Sequence, residues 1–147
     1  MTRLIAMLAL VLGLSQSVHA RSTDNPFRVE AERLTLAAGT GGALRITIAV
    51  PRDHHLYKDM VEVTVVSSGG LKLSEASMPP GLKKPDPADP STLREVYDMD
   101  VIIEVPVGAV KDVGEYPVVF SVSYQGCKKS LCWMPQTDEV RAKIFVK

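Results

Sequence analysis

The chain of 147 residues contains two cysteines, Cys127 and Cys132, separated by four residues in the stretch YQGCKKSLCWMPQT, residues 124–137. A pair this close can form a disulfide and open it again. Exchange needs one sulfur that a thiolate can attack or that can itself attack, and a neighbour that resolves the mixed disulfide. The spacing argues less well for a staple. A bridge closing so small a ring restrains the unfolded chain by only about 2 kcal/mol on the loop-entropy relation, and a domain of this length buries a useful core without one. Lys128 and Lys129, between the cysteines, favour the thiolate form. No C-x-x-C stands at a helix start, so activation by a helix dipole is not available. From spacing alone, a structural bridge pinning a hairpin tip stays as open as a redox-active pair.

The N-terminus bears on the compartment. Arg3, an apolar run over residues 4–14 and Val18-His19-Ala20 have the order of a secretory signal peptide. The expected division is therefore a signal peptide over residues 1–20 and one exported domain over residues 21–147, in an environment where a cysteine pair rests oxidised. The apolar run is too short for a membrane span, no other stretch is apolar enough, and no cysteine near the cleavage point suggests a lipid anchor, so no direct membrane insertion is expected. Arg3 leaves with the signal, and 16 of the 17 basic residues then face 17 acidic ones. That balance speaks against a nucleic-acid or anionic-membrane partner, either of which calls for a basic excess.

The elements that must position the pair read as strands. Phe27, Val29 and Ala31 alternate with Arg28, Glu30 and Glu32, and Leu34-Thr35-Leu36 prolongs the pattern. After a glycine turn at Gly39, Gly41 and Gly42, Leu44, Ile46, Ile48 and Val50 form the clearest strand of the N-terminal half. PRDHHLYKDM, residues 51–60, reads as a polar turn before Val61, Val63 and Val65. Between Leu71 and Pro90 the proline content predicts a short strand and then a long surface loop. Tyr97, Met99, Val101, Ile103 and Val105 share one face of a further strand, with Pro106, Gly108 and Gly114 marking the turn region after it. Val118, Phe120, Val122 and Tyr124 are in phase, as are Val140, Ala142, Ile144 and Val146, with the cysteine stretch between them. Six to eight short strands without an amphipathic helix predict an all-β, immunoglobulin-like antiparallel β-sandwich. The cysteines are expected to face each other at the far end of the final hairpin. There, opposed Cα atoms lie about 4.5–5.5 Å apart, inside the span of about 4.4–6.8 Å that a disulfide bridges.

The string YQGCKKSLCWMPQT resembles the active-site segment of the N-terminal periplasmic domain of the thiol:disulfide interchange protein DsbD family. In that segment a YQGC stretch is followed by a second cysteine, an aromatic residue, a proline and a threonine before the last strand. HLYKDM, residues 55–60, is similar to the family's Leu-Tyr-Arg/Lys segment, and LREVYDMDVIIEVPV, from Leu93, to its Glu-x-Tyr strand after the active-site cap. The resemblance covers most of residues 21–147. It implies a periplasmic immunoglobulin-like domain that passes electrons to thioredoxin-like proteins, such as disulfide isomerases and cytochrome c maturation factors, without a cofactor. By position, Cys132 matches the cysteine that forms the mixed disulfide and Cys127 the resolving partner. Tyr57 and Tyr124 match aromatics around the site, with Gln125, Gly126, Trp133, Pro135 and Leu93 as further shaping residues. This sequence has one residue fewer between its cysteines than the family pattern. Its cap, residues 85–93, has no aromatic residue, which leaves Leu93 or Trp133 to cover the pair. Neither a transmembrane conduit nor a thioredoxin-like domain follows Lys147, so the donor is expected to be a separate membrane protein of the DsbD transmembrane type.

Other residues carry weaker signals. His54 and His55, beside Asp53 in a polar stretch, read as solvated turn residues and not as a metal site. The metal reading to set beside the redox one is Cu(I), for which Cys127, Cys132 and Met134 are soft ligands. Met99 is in phase with core positions. Trp133 reads equally as a partner contact, a plug over the disulfide or packing on the sandwich edge. Tyr57 and Tyr97 suit packing better than catalysis, and Asp86, Asp89 and Glu95 suit solvation better than proton transfer. No hydrolase triad or glycine-rich phosphate loop is present. The reading from a different class is a non-catalytic periplasmic binding module with a structural disulfide, a Cu(I) chaperone being its sharper form.

Overall fold

The computed structural model describes residues 25–86 and 89–147. The expected signal peptide and residues 87 and 88 of the expected cap lie outside them. The described chain is an immunoglobulin-like β-sandwich whose one helical turn is a 3-10 segment at Lys58–Met60.

Period-two alternation builds the core. In β3 (Thr40–Ala49), Leu44, Ile46 and Ile48 are fully buried, and in β8 (Val101–Val110) so is Ile103. These two strands pair antiparallel, with β1 (Arg28–Ala31) on the outer edge of β3. The facing sheet contributes Val118, Phe120, Val122 and Tyr124 of β9 (Gly114–Tyr124), all fully buried, and Val140, Ala142, Ile144 and Val146 of β12 (Gln136–Val146). In that sheet β9 pairs with both β12 and β5 (Glu62–Ser67). The two sheets share one apolar cluster.

A third sheet lies at one end of the sandwich. It runs β11 (Leu131–Cys132), β10 (Gly126–Lys128), β4 (His54–Tyr57), β7 (Leu93–Tyr97) and β6 (Leu82–Pro85). Strands β4 and β7 enter it from the core through Leu56 and Tyr97, which belong to the main cluster.

Several sequence expectations need correction. Leu34–Leu36 does not prolong β1. It forms β2, which crosses to the other sheet and pairs parallel with β12, burying Leu36. Gly41 and Gly42 lie in β3, not in a turn. A β-bulge falls between Thr40 and Gly42, and a Cβ at Gly41 would sit 2.6 Å from the Val107 carbonyl oxygen, so glycine permits the close approach. Pro106 and Gly108 extend β8, the outer strand of its sheet, where a residue without an N–H is tolerated. The stretch from Tyr97 to Val105 is two strands in two sheets. The chain bends at residues 98–100, where the Asp100 carboxylate accepts from the Val50 N–H at 2.9 Å. Tyr97 and Val101 are buried on either side of the bend while Met99, expected in phase with the core, is 70% exposed. Residues 54–57 form a strand instead of part of a polar turn, and the expected proline-rich loop contains β6, so the strand total exceeds the six to eight read from the sequence.

Adjacent positions of β8 test the alternation: Ile103 is fully buried and Ile102 is 49% exposed. Ile103→Ala is expected to lower the unfolding free energy by about 2–5 kcal/mol and Ile102→Ala by about 0.5 kcal/mol. Urea unfolding of the two variants would show it, and equal losses would contradict the assigned faces.

Candidate active site

The cysteines are carried by the short hairpin of β10 and β11, whose turn is Lys129-Ser130, with Lys129 at φ 53°. Cys127 and Cys132 stand directly opposite each other and form a disulfide. The Trp133 N–H donates to the Gly126 carbonyl at 2.9 Å. The hydrogen bonds therefore fall on the residues outside the cysteines, which makes Cys127 and Cys132 a non-hydrogen-bonded pair, the class whose side chains lie closer together. Their Cα atoms are 3.9 Å apart, nearer than the sequence predicted.

This hairpin is not the tip of β9 and β12. Those strands close on each other with Gln136 opposite Tyr124, and the chain between them turns away to pair with β4. Gly126 lies opposite Leu56, Cys127 opposite His55 and Lys128 opposite His54. The Tyr57 N–H donates to the Gln125 carbonyl at 3.3 Å, and the Gln125 side-chain amide donates to the Trp133 carbonyl at 3.1 Å.

Strand alternation separates two faces. Toward the core, the Phe27 ring meets Tyr124, Trp133 and His54 edge-on at 6.0, 5.9 and 5.7 Å. His54 stacks on Trp133 at 5.5 Å. A Cβ at Gly126 would fall 2.0 Å from the Phe27 ring, so only glycine lets β10 lie against it. Trp133 is thus packed on the sandwich edge, and Tyr124 lies behind the site in the core. The Tyr124 hydroxyl donates to Asp138 at 2.8 Å and accepts from the Asn25 amide at 2.7 Å. On the other face, Cys127 packs with Tyr57, Val96 and Met60 in a small cluster of its own.

The two cysteines differ in access. Cys127 is fully buried, whereas Cys132 is exposed among exposed Leu131, Met134 and Pro135. Beside them opens a cavity of about 360 Å³ lined by His55, Tyr57, Lys84, Asp86, Arg94 and Val96, with Lys129 at its rim.

Arg94 was not legible as a site residue. Its guanidinium stacks 3.7 Å from the Tyr57 ring centroid, donates to both Asp59 carboxylate oxygens at 2.7 Å and lies 3.6 Å from Asp86. Lys84 pairs with Asp98 at 2.6 Å, and this hydrogen bond holds the Asp98 carboxyl below its ordinary range. Glu95 accepts from Lys58 at 2.7 Å and from the Gly81 N–H at 2.8 Å, which lowers its pKa, the lysine contributing most. Burial first, then Lys84, lowers the His55 pKa from its ordinary value. The two histidines point to opposite faces, and among the described residues no group of three or more His, Cys, Asp or Glu side chains is placed to hold a metal ion.

Residues 85–93 connect β6 and β7, with Pro85 opposite Leu93. The Asp86 N–H donates to the Thr92 carbonyl at 2.8 Å. The Asp89 carboxylate accepts from the Ser91 and Thr92 hydroxyls at 2.6 and 2.7 Å, which lowers its pKa. Leu93 is 62% exposed, and by alternation it shares a face with Tyr97 and not with Arg94 and Val96.

Comparison with known proteins bears on the fold and the family. Two solved structures from Neisseria meningitidis share the fold. The DsbD N-terminal domain in the reduced form is 21% identical, with 77% of this chain and 82% of that one covered and a TM-score of 0.53. The complex between the DsbD N-terminal and PilB N-terminal domains is 20% identical, with 83% and 88% covered and a TM-score of 0.54. None of the curated proteins matches the chain. The family model for the N-terminal part of the thiol:disulfide interchange protein DsbD matches residues 24–144. A chain that matches this model over most of its length, and whose two cysteines form a directly opposed disulfide, belongs to the DsbD N-terminal domain family of thiol:disulfide exchange proteins.

Proposed function

We propose that this domain carries reducing equivalents in the periplasm, with Cys132 meeting the partner and Cys127 resolving. The observation that carries the assignment is the contrast in access across one disulfide, Cys127 fully buried and Cys132 exposed. In-line attack on a disulfide requires a reachable sulfur, and Cys132 offers it.

In the reduced domain the Cys132 thiolate attacks the partner's disulfide. One sulfur–sulfur bond forms and the partner's breaks, releasing a thiolate. Cys127 then attacks the Cys132 sulfur, closing the disulfide and releasing the second thiolate. The domain is oxidised by two electrons, the partner is reduced by two, and the two protons from the cysteines match the two the partner takes up.

The acceptors in this reading are periplasmic thioredoxin-like proteins, disulfide isomerases or cytochrome c maturation factors, and the donor is a membrane electron conduit of the DsbD transmembrane type. The exposed apolar residues next to Cys132 in the chain, Leu131, Met134 and Pro135, suit a protein surface better than a small solute. A domain of this family in complex with the PilB N-terminal domain also supports a protein partner. Tyr57, Gln125, Gly126, Trp133 and Pro135 shape the hairpin, Tyr124 backs it, and of the expected cap Pro85 and Asp86 border the cavity beside it, while Leu93 lies on the other face of β7.

Two measurements test the reading. In Cys127→Ala the attacking sulfur remains and the resolving one is gone, so mixed disulfides with thioredoxin-like partners should accumulate through Cys132. Capture through Cys127 alone, in Cys132→Ala, would reverse the roles. The reduction potential of the pair against glutathione should lie above about −300 mV, the region below which resistant structural disulfides fall. A lower value would favour the binding module with a structural bridge.

A further inference from the structure

The geometry points to His55 as the base that takes the Cys127 proton when the mixed disulfide is resolved. This rests on the exchange reading above and concerns its second step. A thiol enclosed by Tyr57, Val96 and Met60 is shut off from water, and it attacks poorly until something accepts its proton.

His55 is the register partner of Cys127 across β4 and β10. The bond from the Tyr57 N–H to the Gln125 carbonyl places His55 and Cys127, two residues further along each strand, at a hydrogen-bonded pair with Cα atoms about 5.5 Å apart and side chains on the same face. The imidazole contacts the edge of the Tyr57 ring at 5.4 Å and lines the cavity beside the disulfide. Lys129 and Ser130 of the hairpin turn also line that cavity, so the imidazole opens toward the side of the sheet that carries the cysteine hairpin.

The other candidates on this face are less suited. Lys84 is paired with Asp98 and Arg94 with Asp59, and both are cations that cannot accept a proton. Asp86 lies near Arg94, and a carboxylate is a much weaker base than an imidazole. His54 turns to the opposite face, stacked on Trp133 with its Nδ1 2.8 Å from the Arg52 carbonyl.

The charged groups facing His55 are Lys84 of β6, Arg94 of β7, Lys129 of the hairpin turn, and Asp86 and Asp98 at the ends of the β6–β7 pair, with His54 beside it on its own strand. Burial and Lys84 outweigh the two carboxylates, so the ring is neutral and able to accept a proton at neutral pH. In the step itself, the Cys127 thiol loses its proton to a neutral imidazole nitrogen as its sulfur bonds to Cys132. The partner's sulfur leaves with the electron pair of the broken bond and is then protonated from the imidazolium.

The test uses the reduced full chain and one equivalent of dithiobis-nitrobenzoate, which releases a coloured thiolate twice, on capture by Cys132 and on resolution by Cys127. His55→Gln should leave the first release within about twofold and slow the second about tenfold at neutral pH, since an ordinary thiol is only a few per cent ionised there. In the wild type the second rate should inflect below pH about 6.5, the ordinary imidazole value, and that inflection should vanish in His55→Gln. His55→Phe, which keeps an aromatic ring beside Tyr57, should behave alike and serves if the glutamine variant fails to fold. An unchanged second release, equal slowing of both releases, or a wild-type profile without the inflection overturns the role of His55. A wild type that gives no second release overturns the exchange reading instead.

Discussion

The chemistry of this domain depends on the register between β4 and β10. A slip of one residue in a β-pair sends every side chain to the opposite face. Here it would drive Cys127 toward the Phe27 ring and Gly126 toward the cavity. Two contacts hold the register in place: Leu56, fully buried in the main cluster, and Gly126, where a Cβ has no space beside Phe27. The redox pair is therefore aimed by residues that take no part in redox chemistry. The same register brings His55 and Tyr57 to the cysteine face and sends His54 to the other.

Polar contacts from both faces of β7 tie three elements to this frame. Arg94 joins β7 to the 3-10 turn through Asp59, covers Tyr57 with its guanidinium and reaches Asp86 at the start of the β6–β7 connection. Lys58 and Glu95 link the same turn to β7, and Glu95 also holds the Gly81 backbone. Exposed pairs of this kind contribute little to stability individually. Their role here is placement, since each one spans an element that lines the cavity.

The large core strands were legible because each faces a single apolar layer. Val118, Phe120, Val122 and Tyr124, like Val140, Ala142, Ile144 and Val146, alternate and are buried as the pattern implies. The cysteine pair and the fold class were legible too. Strand β4 was hidden because two histidines make HHLY look like a turn, although one of them packs against Trp133 and Phe27. The break between β7 and β8 was hidden because Tyr97 and Val101 keep the same parity across the bend, so periodicity runs through a change of sheet. Arg94 gave no signal because its contact with Tyr57, 37 residues away in sequence, exists only through the pairing of Tyr57 with Val96.

Cys127 packs in a small cluster on the outer face of the third sheet, apart from the main cluster shared by the two large sheets. The bridge also closes a ring of few residues, so opening it frees the unfolded chain by about 2 kcal/mol, less than a long-range bridge would. The oxidation state is therefore felt in the freedom of the unfolded chain and not in the packing of the main core. A molecule waiting for electrons should resist unfolding and proteolysis longer than one already loaded with them, by the margin that this small ring contributes.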